Sequence, residues 1–175
     1  MICRTHDQKC NSNREVPEDN KESTKDSIHN TKKLIKYIRS LTQTSHSALV
    51  QPIITPRFAI ACTPELLREL GELAADHPSL LIQTHICENV DEIARMGELF
   101  PGNTSYADVY DSFGLLGPRT ILGHAVHLGD DEVELIAERK AGIAHCPTSN
   151  FNLTSGIAPV GKYLDAGIKV RIWFT

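Results

Sequence analysis

Short apolar runs rich in β-branched residues alternate with longer stretches of helical periodicity along most of this chain, which limits the folds it can adopt. The runs predicted to be buried strands are 50–55, 80–84, 120–123, 142–144 and 168–170. Helical patterns lie near 64–76, 90–98, 130–141 and 157–166. The order β-α-β-α-β-α-β-α-β predicts an α/β fold with a parallel sheet, either an open doubly wound sheet or a barrel.

The sequence favours the barrel over the doubly wound sheet. No G-x-G-x-x-G or Walker loop follows any predicted strand, so a nucleotide-phosphate cradle has no candidate. A complete (β/α)8 barrel takes about 250 residues, whereas this chain has 175. We therefore predict a partial (β/α)8 barrel of the TIM type, with about five strands and their intervening helices.

The first part of the chain differs from the rest in kind. Residues 1–22 carry no periodic pattern and are predicted to be irregular or disordered. Ser23 and the residues after it offer a helix start, and apolar residues then recur at helical spacing over about 24–42. We therefore divide the chain into an irregular segment, 1–22, and a partial barrel domain, 23–175.

Charge and composition exclude several classes of protein. Lys and Arg number 18 and Asp and Glu 22, and the resulting net charge of −4 does not suit a dedicated nucleic-acid binder. No apolar run approaches the roughly 18 residues that span a bilayer. The first residues lack the apolar stretch of a secretory signal, so we expect a cytoplasmic protein in the cytosol. The five cysteines form no C-x-x-C pair, and we expect reduced thiols.

Polar side chains follow the predicted strands at the ends that meet on one face of a parallel barrel. Arg57 and Phe58 follow the first strand, His85 and Glu88 the second, and His124 the third. A single histidine at a strand end is more often structural than a ligand, but histidines at successive strand ends weaken that reading. The spacing allows His85 to bind a divalent metal and Glu88 to transfer protons. It equally allows Glu88 to be an acid at a helix start, and His124 to be a second ligand.

Four segments carry a resemblance to a known family. They are QPIITPRF (51–58), QTHICEN (83–89), LGH (122–124) and AHCPTSN (144–150). In order and spacing they resemble the guanine deaminases of the amidohydrolase superfamily. The resemblance implies a (β/α)8 barrel with one zinc ion that hydrolyses guanine to xanthine and ammonia. It also implies a homodimer.

The resemblance also implies roles for individual residues. It makes His85 a zinc ligand, Glu88 the carboxyl group that shuttles protons, and His124 the histidine that hydrogen-bonds the reacting water. Arg57 resembles the residue that donates to the purine carbonyl, and Phe58 the ring that packs on the base. The implied substrate-binding set is Arg57, Phe58, His85 and Glu88, and the implied catalytic pair is Glu88 and His124.

The sequence departs from the family pattern at the metal site. The first-strand H-x-H that supplies two zinc ligands occurs nowhere in these 175 residues, and the ligand Asp expected after Val170 is not found. The zinc site is therefore expected to be incomplete, with His85 as its one ligand. Two hypotheses follow: a guanine deaminase polypeptide represented by an incomplete chain, or a catalytically inactive fragment that acts only as an interaction partner. We expect His127 and His145 to be structural, and Gln83 either to contact substrate or to pack in the barrel.

Overall fold

The computed structural model describes residues 22–42 and 50–173. The five strands are β1 (Ile53–Ile54), β2 (Leu81–Ile86), β3 (Thr120–His124), β4 (Gly142–His145) and β5 (Lys169–Ile172). The helices are α1 (Thr24–Thr42), α2 (Pro64–Asp76), α3 (Val90–Leu99), α4 (Tyr106–Ser112), α5 (Asp130–Glu138), α6 (Pro147–Asn152) and α7 (Val160–Asp165), with a short 3-10 helix at Ala59–Ala61.

The strands form one parallel sheet in the order β1-β2-β3-β4-β5, as the alternating pattern predicts. An open doubly wound sheet reverses its strand order at a switch point, whereas this order follows the sequence without reversal. The observed sheet is therefore that of a partial barrel.

The two faces of the sheet differ in burial. In β2, Ile82, Thr84 and Ile86 are buried, whereas Leu81 and Gln83 are exposed. Parallel pairing aligns Gln83 with Ile121 of β3, and Ile121 is exposed as well. One face thus lies in the core, while the other, which corresponds to the interior of a closed barrel, is open.

Capping side chains start several helices where the sequence predicts a start. The Ser23 hydroxyl accepts from the Asp26 amide at 3.1 Å, and Thr63 accepts from the Leu66 amide at 3.1 Å ahead of Pro64. The helices α1 and α2 have the predicted bounds. The amphipathic pattern and the caps together therefore fix these two helices.

Other predicted bounds differ from the structure for local reasons. The predicted strand 50–55 shortens to Ile53–Ile54, since Pro52 and Pro56 lack the amide hydrogen that a strand donates. The predicted helix 130–141 ends at Glu138, and Lys140 has a left-handed φ of 59°. The predicted helix 157–166 begins only at Val160. The sequence did not predict the short helices α4 and α6 or the 3-10 helix.

Helix α2 packs unusually close to another part of the chain at Gly71. A Cβ atom at this position would lie 1.9 Å from the carbonyl oxygen of Phe113, which follows α4. The neighbouring leucines Leu66, Leu67 and Leu70 are fully buried in the core. Glycine at this position therefore lets the helix approach the backbone of the next layer.

Among the residues that the structure describes, no helix is both long and apolar enough to cross a membrane. Apart from Glu22, the segment 1–22 that we predicted to be irregular lies outside the described residues.

Candidate active site

The structure brings the five predicted site residues together at the carboxyl ends of β1, β2 and β3. The rings of His85 and His124 stack with their centroids 5.2 Å apart, and Phe58 meets His85 edge to face at 6.2 Å. The Arg57 guanidinium carbon lies 4.9 Å from the centre of the Phe58 ring. A carboxylate oxygen of Glu88 lies 3.5 Å from Nδ1 of His124. The five side chains form one continuous set of contacts.

His85 is held by the segment that follows β1. Its Nδ1 lies 2.5 Å from the Arg57 carbonyl oxygen, to which its backbone amide also donates at 3.1 Å. When Nδ1–H donates to a carbonyl, the neutral ring keeps its lone pair on Nε2, the arrangement typical of metal-binding histidines. Burial lowers the pKa of His85 below its ordinary value of 6.5, and the neighbouring His124 lowers it further. Both effects favour the neutral ring.

The backbone turns sharply where His124 ends β3. His124 aligns in register with Ile86, which is buried in the core, but its φ of 69° breaks the alternation of the strand. The His124 ring stacks on His85 instead, and its Nδ1 lies 2.8 Å from Oδ1 of the buried Asn150. This contact with α6 orients the ring beside Glu88.

Hydrogen bonds hold the strained turns after β2 and β3. Cys87 and Ala125 also have left-handed φ values of 48° and 49°. The Cys87 carbonyl accepts from the amides of Val126 and His127, each at 3.1 Å. The Tyr163 hydroxyl donates to the Ala125 carbonyl at 2.7 Å. The ends of β2 and β3 are thus tied to each other and to α7, which fixes where His85 and His124 sit.

Glycine leaves room beside the His85 ring. A Cβ atom at Gly123 would lie 3.6 Å from Cδ2 of His85 and 3.4 Å from the Thr84 carbonyl oxygen. The carbon Cδ2 is bonded to Nε2, so a longer side chain at this position would crowd the nitrogen that keeps the lone pair. The neighbouring strand therefore leaves that side of the ring accessible.

The remaining candidates lie apart from the cluster or at its edge. Gln83 is exposed on the open face of the sheet, and His127 donates from Nε2 to the Ser155 carbonyl at 2.7 Å. His145 lies at the edge of the cluster, where burial lowers its pKa and its buried Nδ1 has no hydrogen-bond partner.

Sequence reasoning missed four buried residues that support the site: Glu92, Tyr106, Tyr110 and Asn150. Glu92 accepts from the Glu88 amide at 3.0 Å and from the Tyr106 hydroxyl at 2.7 Å. The Tyr110 hydroxyl donates to the His85 carbonyl at 2.7 Å. The tyrosine pair one helical turn apart, Tyr106 and Tyr110, is the sequence signal that could have indicated α4.

The donor set for a metal is incomplete in the described part of the chain. No group of three or more His, Cys, Asp or Glu side chains there could hold a metal ion. His85 fits a single ligand position, since its ring favours the neutral form and its Nδ1 is already occupied. A resident metal would need further ligands from outside these residues.

The sequence profile of the Amidohydrolase family matches residues 6–173, and the chain belongs to this family. Its relatives include the probable guanine deaminase of Schizosaccharomyces pombe, 52% identical over 165 residues, which are 94% of this chain and 31% of that protein. The guanine deaminase of Dictyostelium discoideum is 46% identical over 159 residues, 91% of this chain and 34% of that protein. The chain is thus a homologue of guanine deaminases and spans about a third of their length.

Solved structures show the same relationship. The guanine deaminase of C. acetobutylicum, crystallised with guanine bound in its active site, matches with a TM-score of 0.84 and 38% identity. The match covers 98% of this chain and 38% of that one. The E. coli guanine deaminase gives a TM-score of 0.83 at 34% identity, over 91% of this chain and 36% of that one. These matches confirm the predicted fold class, a partial barrel of the amidohydrolase kind.

Proposed function

We propose that this chain is part of a guanine deaminase, which hydrolyses guanine to xanthine and ammonia. The observation that carries the proposal is the continuous cluster of Arg57, Phe58, His85, Glu88 and His124, in a chain homologous to guanine deaminases. In the reaction, water adds its oxygen to the ring carbon that bears the amino group. The carbon–nitrogen bond then breaks and ammonia leaves.

Arg57 and Phe58 are proposed to bind the purine. A planar, polar base needs donors for its carbonyl oxygen and an apolar surface for its ring. The Arg57 guanidinium already stacks over the Phe58 ring, so the donors and the aromatic surface lie next to each other. The Arg57 carbonyl contacts His85, and this contact supports a proposed base-binding segment beside the proposed reaction centre.

Glu88 is proposed to move the protons and His124 to orient the attacking water. Glu88 takes one proton from the attacking water and passes it to the ring nitrogen; it then takes the second proton from the hydroxyl group of the adduct and passes it to the leaving amine. His124, with Nδ1 directed to Asn150 and Glu88, keeps its other nitrogen for the water when the ring is neutral. The two side chains lie close enough to act on the same water molecule.

The proposed cofactor is one zinc ion, with His85 as one of its ligands. Such an ion lowers the pKa of a bound water and polarises the group under attack. Because the described residues offer no set of three ligands, we derive no step through the metal from this chain alone. The further ligands are proposed to come from parts of the enzyme outside the described residues.

The proposal includes a cytosolic location and a homodimer. Cys87 and Cys146 are buried thiols outside any disulfide, which agrees with a reducing compartment. The dimer rests on the family resemblance.

A chimera tests the proposed function directly. Residues 50–170 of this chain would replace the corresponding segment of the S. pombe relative, and guanine-dependent xanthine formation and zinc content would be measured. We expect activity, and we expect Glu88→Gln in the chimera to abolish turnover with the zinc content unchanged. Glu72→Gln is the matched control, because Glu72 lies on the exposed side of α2. An inactive but folded chimera contradicts the proposal, and loss of zinc in Glu88→Gln contradicts the role of Glu88.

A second candidate function is that of a non-catalytic interaction partner. It is supported by the open face of the sheet, where Leu81 and Ile121 are 42% and 36% exposed. Both candidates predict that the 175-residue chain alone forms little xanthine and binds less than one zinc ion per chain. Robust turnover by the purified chain would contradict the incomplete metal site, and an active chimera favours the enzyme over the interaction partner.

A further inference from the structure

Helix α4 carries two buried tyrosines that the proposed function does not use. Tyr106 and Tyr110 are 1% and 0% exposed, and their rings stack with centroids 5.4 Å apart at 19°. Residues one helical turn apart lie on the same face, so both side chains leave α4 in one direction. Both hydroxyl groups form hydrogen bonds with residues next to the candidate site.

The Tyr110 hydroxyl joins two segments of the site. It accepts from the Ala59 amide at 3.0 Å and from the Thr84 hydroxyl at 2.9 Å, and it donates to the His85 carbonyl at 2.7 Å. Ala59 directly follows Phe58 in the sequence. One oxygen atom therefore fixes the backbone of the proposed purine-binding segment relative to that of the proposed metal ligand.

The Tyr106 hydroxyl acts through a carboxylate. It donates to one oxygen of Glu92 at 2.7 Å, and the other oxygen of Glu92 accepts from the Glu88 amide at 3.0 Å. Glu92 is buried, and its own amide donates to the Asn89 side chain at 2.8 Å. Tyr106 thereby holds the carboxylate that holds the backbone of Glu88.

We propose that Tyr106 and Tyr110 are positioning residues, through which α4 sets Glu88 on one side of the site and His85 with the Arg57–Phe58 segment on the other. The functional meaning of this arrangement rests on the proposed deaminase activity. The geometric claim concerns the hydroxyl groups alone, since phenylalanine would fill nearly the same volume and keep the ring stacking.

The test is a crossed pair of substitutions, Tyr106→Phe and Tyr110→Phe, each the matched control of the other. Hydrogen–deuterium exchange of the backbone amides would be followed by NMR in the 175-residue chain, with the amides of β3 as the reference for global stability. We expect Tyr110→Phe to speed exchange at Ala59 by about tenfold beyond that reference, and Tyr106→Phe to do the same at Glu88. The two rings also stack, and we expect each variant to have a smaller effect at the other amide.

Equal acceleration of exchange at both amides in both variants would overturn the proposal. A merely structural role would destabilise the fold in general and would speed exchange at both amides alike. If the variants fail to fold, the unmodified chain still gives a test. Nuclear Overhauser contacts from the Tyr110 ring to the Ala59 amide and from the Tyr106 ring to Glu92 support the proposal, and their absence overturns it.

The exchange experiment and the chimera test different proposals, so each proposal can be overturned without the other. If each variant speeds exchange mainly at its own amide but the chimera does not convert guanine, only the deaminase proposal is overturned. An active chimera with uniform exchange would overturn the positioning role alone. In an active chimera, we expect Tyr110→Phe mainly to raise KM and Tyr106→Phe mainly to lower kcat, because they act on binding and proton transfer respectively.

Discussion

The two stacked histidines, His85 and His124, use their ring nitrogens in the same way. Each directs Nδ1 to a nearby oxygen, the Arg57 carbonyl for His85 and the Asn150 side chain for His124. A ring whose Nδ1 carries the hydrogen keeps its lone pair on Nε2. The Arg57 carbonyl and the Asn150 side chain therefore set the tautomers of the two rings in the absence of a ligand.

Half-buried histidines with lowered pKa values make the stability of the chain depend on pH. Burial lowers the pKa of both His85 and His145 below the ordinary value of 6.5. As the pH falls below this value, the unfolded chain takes up protons that the folded chain does not, so the free energy of unfolding falls. We expect urea denaturation of the metal-free chain to give a lower free energy of unfolding at about pH 5.5 than at about pH 7.5. The loss should be smaller in His145→Gln, and an unchanged loss would exclude a contribution from this residue.

The sequence predicted which residues meet at the site but not how they meet. Strand ends and motif spacing brought Arg57, His85 and Glu88 to one edge of the sheet. The left-handed turn at His124 has no local sequence signal, because it is imposed by hydrogen bonds from distant segments. Asn150 was likewise visible in its motif, but its contact with His124 depends on the packing of α6.

At the scale of elements, long periodic segments were predictable and short ones were not. The helices α1 and α2 carry many turns of amphipathic pattern and clear caps, so their ends could be identified. Helices α4 and α6 have only seven and six residues, fewer than two turns, which is too short for an amphipathic pattern to stand out. Helix α4 forms with four of its residues buried by the surrounding layers. Tertiary packing, rather than local preference, determines such segments.

Two glycines inside helices provide a test of the close packing between α2 and the residues that follow α4. Gly71→Ala would place a Cβ atom against the Phe113 carbonyl oxygen, and we expect it to cost about 1–3 kcal/mol of the free energy of unfolding. Gly97→Ala in α3 meets no atom within 4 Å and should stabilise the chain by about 0.5–1 kcal/mol through helix propensity. Urea denaturation followed by circular dichroism measures both. A stabilising Gly71→Ala would mean that α2 does not approach Phe113 so closely.

At the scale of the whole molecule, the sheet has one covered face and one open face. Leu122 lies on the covered face and is fully buried, whereas Leu81 lies on the open face and is 42% exposed. We expect Leu122→Ala to cost about 2–5 kcal/mol and Leu81→Ala about 1 kcal/mol or less. Denaturation of the two variants at several protein concentrations measures this difference. Equal losses of unfolding free energy in the two variants would mean that the open face is covered in solution. If the unfolding free energy also rises with protein concentration, a second copy of the chain covers that face.

The consecutive strand order has a consequence for how the molecule comes apart. Each described strand bonds only to its neighbours in sequence, as in a linear array whose stability is a sum of nearest-neighbour terms. The strand β1 pairs with β2 at two positions, Ile53 with Leu81 and Ile54 with Ile82, and the Arg57 carbonyl that follows β1 accepts from the His85 amide. The Tyr110 hydroxyl holds the Ala59 amide as well. We therefore expect β1 to separate only when these bonds break, and the proposed purine-binding half would then lose its shape together with the contact that orients His85.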